Sequence, residues 1–186
     1  MPPSSFLKSI AAGFAALVIL AAGACWGQDS NRAKAHALVD AAIQMSDTNQ
    51  AVKLLWQASD IDPTLNESYI YLGLYYNSRE DFAKVVEVYQ KLIKYQPREV
   101  SAYLNIGEAY MSFTPPKYQE ALAAYRKAYE IDAQSSFAAL RIGQILAHQG
   151  NRIEAGRFLK QASADSAKNA TVAAEAQKEL RQLGMF

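Results

Sequence analysis

The sequence predicts an all-α fold in which short helices repeat along the chain as antiparallel pairs. Two recurrences carry this prediction. Pro63 and Pro97 lie 34 residues apart, and each closes a similar phrase. The phrase Tyr-Ile-Tyr-Leu-Gly that begins at Tyr69 returns 34 residues later as Tyr-Leu-Asn-Ile-Gly, beginning at Tyr103. A fixed period of this length indicates stacked repeats, and an apolar content of 51% is enough to build a core.

Several positions agree when the repeats are aligned in one register. The four repeats begin at Arg32, Asn66, Val100 and Ser136. The eighth position must be small so that two helices approach closely, and it holds Val39, Gly73, Gly107 and Gly143. The twenty-fourth position is a large core residue, and it holds Leu55, Tyr89, Tyr125 and Leu159. This pattern resembles the tetratricopeptide repeat, a pair of antiparallel helices.

The resemblance implies a right-handed α-solenoid of four helix hairpins over residues 32–65, 66–99, 100–135 and 136–169. The third hairpin needs a two-residue insertion, and its Pro115 and Pro116 suit the first turn of a helix. A capping helix is expected over 170–183, because apolar residues recur there at spacings of three and four. These residues are Ala173, Ala176, Leu180 and Leu183, and Gly184 follows as the expected C-cap.

Burial in the helix pairs is the expected role of four tyrosines in the two middle repeats. These are Tyr69, Tyr76, Tyr103 and Tyr110. The terminal repeats hold smaller or aliphatic residues at the same positions, as expected where a repeat has only one neighbour.

The N-terminal stretch is typical of an export signal over residues 1–24. Lys8 precedes a run from Ile10 to Ala22 that contains only apolar residues and glycine, and small residues follow. Three fates are consistent with it: cleavage after Ala24, lipidation of Cys25 at a sequence that resembles a bacterial lipobox, and an uncleaved anchor. The chain is therefore expected to be periplasmic or attached to the bacterial envelope membrane.

The composition argues against several classes of function. A formal net charge of +1 is too small for a typical nucleic-acid binder. One cysteine excludes an internal disulfide and a cysteine-based zinc site. The two histidines, His36 and His148, lie in the first and last repeats, so a shared metal is not expected. Because no catalytic motif is present, the prediction is a non-enzymatic protein without metal or cofactor.

The resemblance places the binding surface on the concave face, which the first helix of each pair forms. No lysine or arginine occupies the family's second, fifth, ninth or twelfth positions, so the basic clamp of its chaperone-binding members is not expected. The predicted partner-binding residues are Ile70, Leu74, Leu104, Glu108, Met111, Phe137, Leu140 and Gln144. Their apolar members form a strip suited to an apolar or amphipathic segment of another protein. Asp40, Glu67 and Glu108 are expected to disfavour acidic segments.

The predicted function is a protein–protein interaction scaffold or adaptor at the bacterial cell envelope. Two alternatives stay open. The strip could be covered by the C-terminal helix or by a second copy in a homodimer. The chain could also be an accessory subunit of an envelope enzyme complex.

Overall fold

The computed structural model describes residues 29–164 and 169–185, so the predicted signal segment and Cys25 lie outside the described residues. Within that part of the chain all regular structure is helical, which confirms the all-α prediction. The first helix, α1, is described over 29–44. The helices that follow are α2 (Thr48–Ile61), α3 (Asn66–Ser78), α4 (Phe82–Tyr95), α5 (Val100–Ser112), α6 (Tyr118–Ile131), α7 (Ser136–His148), α8 (Arg152–Ala164) and α9 (Ala170–Gln182). None of these described helices is both long and apolar enough to cross a bilayer.

Short polar side chains fix where many of the helices begin. Asp47, Asp81, Ser135 and Asn169 each accept a hydrogen bond from a backbone N–H in the first turn of α2, α4, α7 and α9. These bonds satisfy donors that have no partner within the helix. At the other end of α9, Gly184 has a φ of 67°, a conformation that glycine adopts without steric cost.

The two prolines of the insertion lie before α6 and not in its first turn, so that prediction is wrong. α6 begins at Tyr118, after Lys117 as its N-cap. A proline disfavours helical backbone at the residue before it, so two in succession keep this segment out of the helix. The backbone is already extended at Phe113, where ψ is 153°.

The described chain divides into two compact units, with the boundary between Ser68 and Tyr69. The first unit holds α1, α2 and the first turn of α3. Its apolar core includes Ala35, Val39, Leu55, Ala58 and Leu65. The second unit runs from the rest of α3 to α9, and all the predicted partner-binding residues lie in it.

Glycines set how closely the paired helices of the second unit approach. A methyl group at Gly73 of α3 would lie 2.5 Å from the Tyr89 hydroxyl of α4. Gly107 in α5 is equally close to the ring of Tyr125 in α6. Gly143 in α7 lies against Leu159 in α8. The close approach predicted at the eighth position is confirmed in these three pairs.

The last helix, α9, covers the apolar faces of α7 and α8, as predicted for a capping helix. Its residues Val172, Ala176 and Leu180 share a buried cluster with Leu140 of α7 and Leu159 of α8. The predicted burial of the four tyrosines is correct in full for Tyr69 alone, which has no exposed surface. The other three are half-buried.

Candidate functional site

A groove of about 420 Å³ lies within the first unit, and another of about 320 Å³ lies between α3, α4 and α5 of the second. The second groove is lined by two predicted residues, Leu74 and Glu108. The rest of its lining includes the carboxamides of Asn77 and Asn105 and the hydroxyl of Ser112. It therefore combines apolar side chains, of which Leu74 is the exposed one, with uncharged polar groups and a single carboxylate.

Exposure of the predicted apolar strip falls along the chain. Ile70 and Leu74 on α3 are 48% and 61% exposed. Leu104, Met111 and Phe137 are half-buried against a core cluster. Leu140 is 1% exposed, so its prediction as a partner-binding residue is wrong. The physical reason is α9, whose apolar stripe packs directly on Leu140.

Met111 and Gln144 line a different cleft, of about 450 Å³, near the ends of α7 and α9. There the ring of His148 stacks on Tyr118, with the ring centroids 4.3 Å apart. The eight predicted residues are thus not brought together in one site. Leu74 and Glu108 line the groove at α3 and α5, Met111 and Gln144 line the cleft at α7 and α9, and Leu140 lies in the core.

Glu108 is held by partners from two neighbouring helices. Tyr125 Oη of α6 donates a hydrogen bond to Glu108 Oε1 at 2.5 Å. Arg141 Nη2 of α7 donates to Glu108 Oε2 at 2.9 Å, and Arg141 Nε lies 2.7 Å from Oε1. Both carboxylate oxygens therefore have internal partners, and the charge of Glu108 is compensated within the chain.

The network continues from Arg141 to the capping helix. Arg141 Nη1 donates to Gln144 Oε1 at 3.1 Å, and Gln144 Nε2 donates to Glu175 Oε1 of α9 at 2.8 Å. The guanidinium carbon of Arg141 lies 4.9 Å from the centre of the Phe137 ring, within cation–π range. Polar contacts therefore connect α5, α6, α7 and α9 beside the apolar strip.

Tyr125 stays a hydrogen-bond donor over a wide pH range. Burial raises the pKa of its hydroxyl well above the ordinary value, and the bond to Glu108 raises this pKa further. Arg141 lowers it by a smaller amount. Because the phenol keeps its proton, the bond to the carboxylate persists wherever Glu108 is ionised.

Sequence reasoning missed Arg141, because the search for basic residues covered only the second, fifth, ninth and twelfth repeat positions. Arg141 occupies the sixth position of its repeat, outside the four positions that were compared. A long arginine side chain nevertheless reaches a neighbouring helix while its stem stays on apolar surface. The available signal was an opposite charge 33 residues upstream, at Glu108. No group of three or more metal-ligating side chains occurs in the part of the chain that the structure describes.

Comparison with known proteins identifies the fold. No protein-family model and no curated protein sequence matches the chain. Among solved structures, the crystal structure of MamA is 23% identical, covering 73% of this chain and 80% of that chain with a TM-score of 0.61. The Arabidopsis OM64 TPR domain is 25% identical, covering 62% of this chain and 93% of that chain with a TM-score of 0.54.

This chain has the tetratricopeptide-repeat (TPR) fold. The resemblance predicted from the sequence is therefore confirmed at the level of the fold. A third TPR-like neighbour is PcrH, solved in complex with the chaperone binding region of PopD. PcrH is 19% identical, and the match covers 63% of this chain and 90% of that chain with a TM-score of 0.58.

Proposed function

We propose that this TPR chain is a non-enzymatic scaffold that binds a segment of another protein along α3 and α5. The observation that carries the proposal is the exposure of Ile70 and Leu74. These side chains lie four residues apart on α3, so they share one helix face, and Leu74 lines the 320 Å³ groove. Paired exposed apolar side chains beside a concave surface favour protein contact.

The expected partner segment presents apolar side chains to α3. Burial of one such side chain at an interface contributes roughly 1.5–3 kcal/mol before the costs of association. Two residues alone therefore give weak binding, and the half-buried Leu104 on α5 would extend the contact. The TPR-like neighbour PcrH supports this mode, since its structure contains a region of another protein.

The proposed location is the bacterial envelope, and the N-terminal sequence supports it. The apolar run from Ile10 to Ala22 and the small residues before Cys25 fit an export signal. Mass spectrometry of the N-terminus of the protein purified from cells separates the three predicted forms. A peptide beginning at Cys25 with added acyl mass identifies a lipoprotein, whereas one beginning there without it identifies a released protein. Recovery of the intact Met1 segment identifies an anchor.

The binding test compares two exposed apolar positions. Leu74→Glu places a charge at the groove, and Ile153→Glu is the matched control because Ile153 on α8 is 85% exposed. Each variant is crosslinked in native envelope membranes, recovered and identified by mass spectrometry. We expect one partner to be recovered with wild type and with Ile153→Glu, and to be lost with Leu74→Glu.

Two results would contradict the proposal. If Leu74→Glu recovers the same proteins as wild type, the α3 face does not bind the partner. If only further copies of this chain are recovered, and this recovery depends on Leu74, the surface forms a homodimer. Leu104 is unsuitable for this test, because it packs against the core cluster and its substitution would also affect folding.

A further inference from the structure

We infer, on the basis of the proposed function, that Glu108 is a specificity-determining residue that masks Arg141 and so excludes acidic partner segments. Arg141 is the only lysine or arginine on the described helices α3, α5 and α7. Left unpaired, it would be the natural anchor for a carboxylate. Glu108 pairs with Arg141 and so prevents it from binding a carboxylate of a partner.

Two of the three nitrogens of the Arg141 guanidinium donate hydrogen bonds within the chain, and the third, Nε, is buried beside Glu108. Nη2 donates to Glu108 Oε2 at 2.9 Å, and the buried Nε lies 2.7 Å from Glu108 Oε1 as an ion-pair contact without a hydrogen bond. Nη1 donates to Gln144, and Phe137 lies against the guanidinium. A partner carboxylate would therefore have to displace Glu108 to bind Arg141.

Glu108 is fixed in this position by the helix on its other side. Tyr125 has no exposed surface, and its hydroxyl donates to Glu108 Oε1. The side chain of Glu108 is nevertheless 39% exposed and lines the groove beside Leu74. The carboxylate thus faces an arriving segment and compensates Arg141 at the same time.

The rest of the groove lining is uncharged. Asn77 offers an amide group to peptide backbone and neutral side chains, and Asn105 and Ser112, which donate to carbonyls of their own helix, offer acceptor oxygens. An uncharged apolar segment meets no unpaired charge in this groove. An acidic segment finds Arg141 already paired with Glu108, so it gains no favourable charge contact to offset its desolvation and is selected against.

The test uses a phage-displayed library of random peptides and the purified full-length chain. We expect wild type to select peptides rich in aliphatic and aromatic residues and depleted in Asp and Glu. In Glu108→Gln, Arg141 loses its carboxylate partner and becomes available to a carboxylate of the peptide. Acidic apolar peptides should then bind about tenfold more tightly than they bind wild type, a gain of about 1.4 kcal/mol.

A double variant isolates the role of Arg141. Glu108→Gln combined with Arg141→Met removes both charges, so the gain in affinity for acidic peptides should disappear. Tyr125→Phe is the matched control, because it deletes one bond to Glu108 and leaves the ion pair in place. Persistence of the gain without Arg141 would overturn the inference, and so would an unchanged depletion of acidic residues in Glu108→Gln.

The same library separates this inference from the proposed function. If the double variant Ile70→Glu with Leu74→Glu still selects the same peptides, or if wild type selects none, the proposed function and the inference are both overturned. If peptide selection is lost in that double variant but is unchanged in Glu108→Gln, only the inference is overturned. Circular dichroism checks that each variant is helical. If Glu108→Gln does not fold, Glu108→Asp takes its place, because the shorter side chain weakens the pair and should give a smaller gain in the same direction.

Discussion

α3 and α7 are the first helices of the second and fourth repeats, yet their equivalent side chains have opposite environments. Ile70 and Leu74 on α3 are 48% and 61% exposed. Their counterparts on α7 are Leu140, which is 1% exposed, and Gln144, which is hydrogen-bonded to Glu175 of α9. The difference comes from α9, which covers this face of α7. No described helix of the second unit covers the equivalent face of α3.

This comparison shows that residue type alone does not mark a binding surface. Ile70 and Leu140 occupy the same repeat position, yet Ile70 is exposed to solvent and Leu140 lies in the core. An apolar residue becomes available to a partner only where its own chain leaves it uncovered. The useful distinction between the two helices is therefore energetic, since covered residues stabilise the fold and exposed ones are free to bind.

The largest expected difference in stability is between the variants Leu140→Ala and Leu74→Ala. Leu140→Ala removes buried methyl groups beneath α9 and should lower the free energy of unfolding by about 3 kcal/mol. Leu74→Ala alters an exposed side chain and should change it by less than about 0.5 kcal/mol. Urea denaturation followed by circular dichroism measures both. Equal losses of stability in the two variants would mean that packing of α9 does not make the α7 face differ from the α3 face.

A smaller loss of stability is expected from overpacking between the two helices of a pair. An added methyl group in Gly107→Ala would collide with the ring of Tyr125. Overpacking should outweigh the gain in helix propensity and cost about 1–2 kcal/mol. Gly156→Ala is the control, because its nearest neighbour is the flexible side chain of Met185. That variant should be neutral or stabilised by up to about 1 kcal/mol, and an equal loss in both would contradict the steric explanation.

The sequence was sufficient to predict the helix pairs, because their register depends on local features. The small residues at Gly73, Gly107 and Gly143 recur at a fixed interval and meet large side chains of the paired helix, and a pattern of this kind is visible without coordinates. The capping role of α9 was also predictable from its apolar stripe. Periodicity of this kind reports which face of a helix is apolar.

The candidate site was less predictable, because it depends on how far side chains reach between repeats. The burial of Leu140 depends on where α9 packs, and no periodicity in α7 reports that. The pairing of Glu108 with Arg141 joins the ninth position of one repeat to the sixth position of the next, and the sixth was not among the positions compared. The charge of Glu108 therefore looked available to a partner in the sequence, although the structure shows it compensated by Arg141 and Tyr125.

The stability of the fold should depend on pH in the alkaline range, because the phenol of Tyr125 is buried beside Glu108. The folded-state pKa of Tyr125 is raised, so this group stabilises the fold below its unfolded-state pKa of about 10. That stability is lost as the pH rises towards the folded-state pKa. Burial raises the pKa of Tyr89 as well, so both phenols contribute.

Tyr125→Phe should therefore flatten the alkaline decline in stability. At neutral pH the variant should lose about 1 kcal/mol, because one hydrogen bond to Glu108 is removed. Denaturation at a series of pH values between roughly 9 and 11 measures the slope. A slope as steep as that of wild type would show that Tyr125 does not release its proton on unfolding in this range.

The smallest expected effect lies in the polar contact between α7 and α9, where Gln144 Nε2 donates to Glu175. Glu175→Ala should cost about 0.5 kcal/mol, because a partly exposed hydrogen bond contributes little net stability. A double-mutant cycle with Gln144→Ala should give a coupling energy of about 0.5 kcal/mol, with Lys178→Ala as an uncoupled control on the same helix. Zero coupling would mean that α9 is held by its apolar stripe alone. The covered face of α7 would then owe its difference from α3 to the burial of Leu140 and its neighbours, with no contribution from this hydrogen bond.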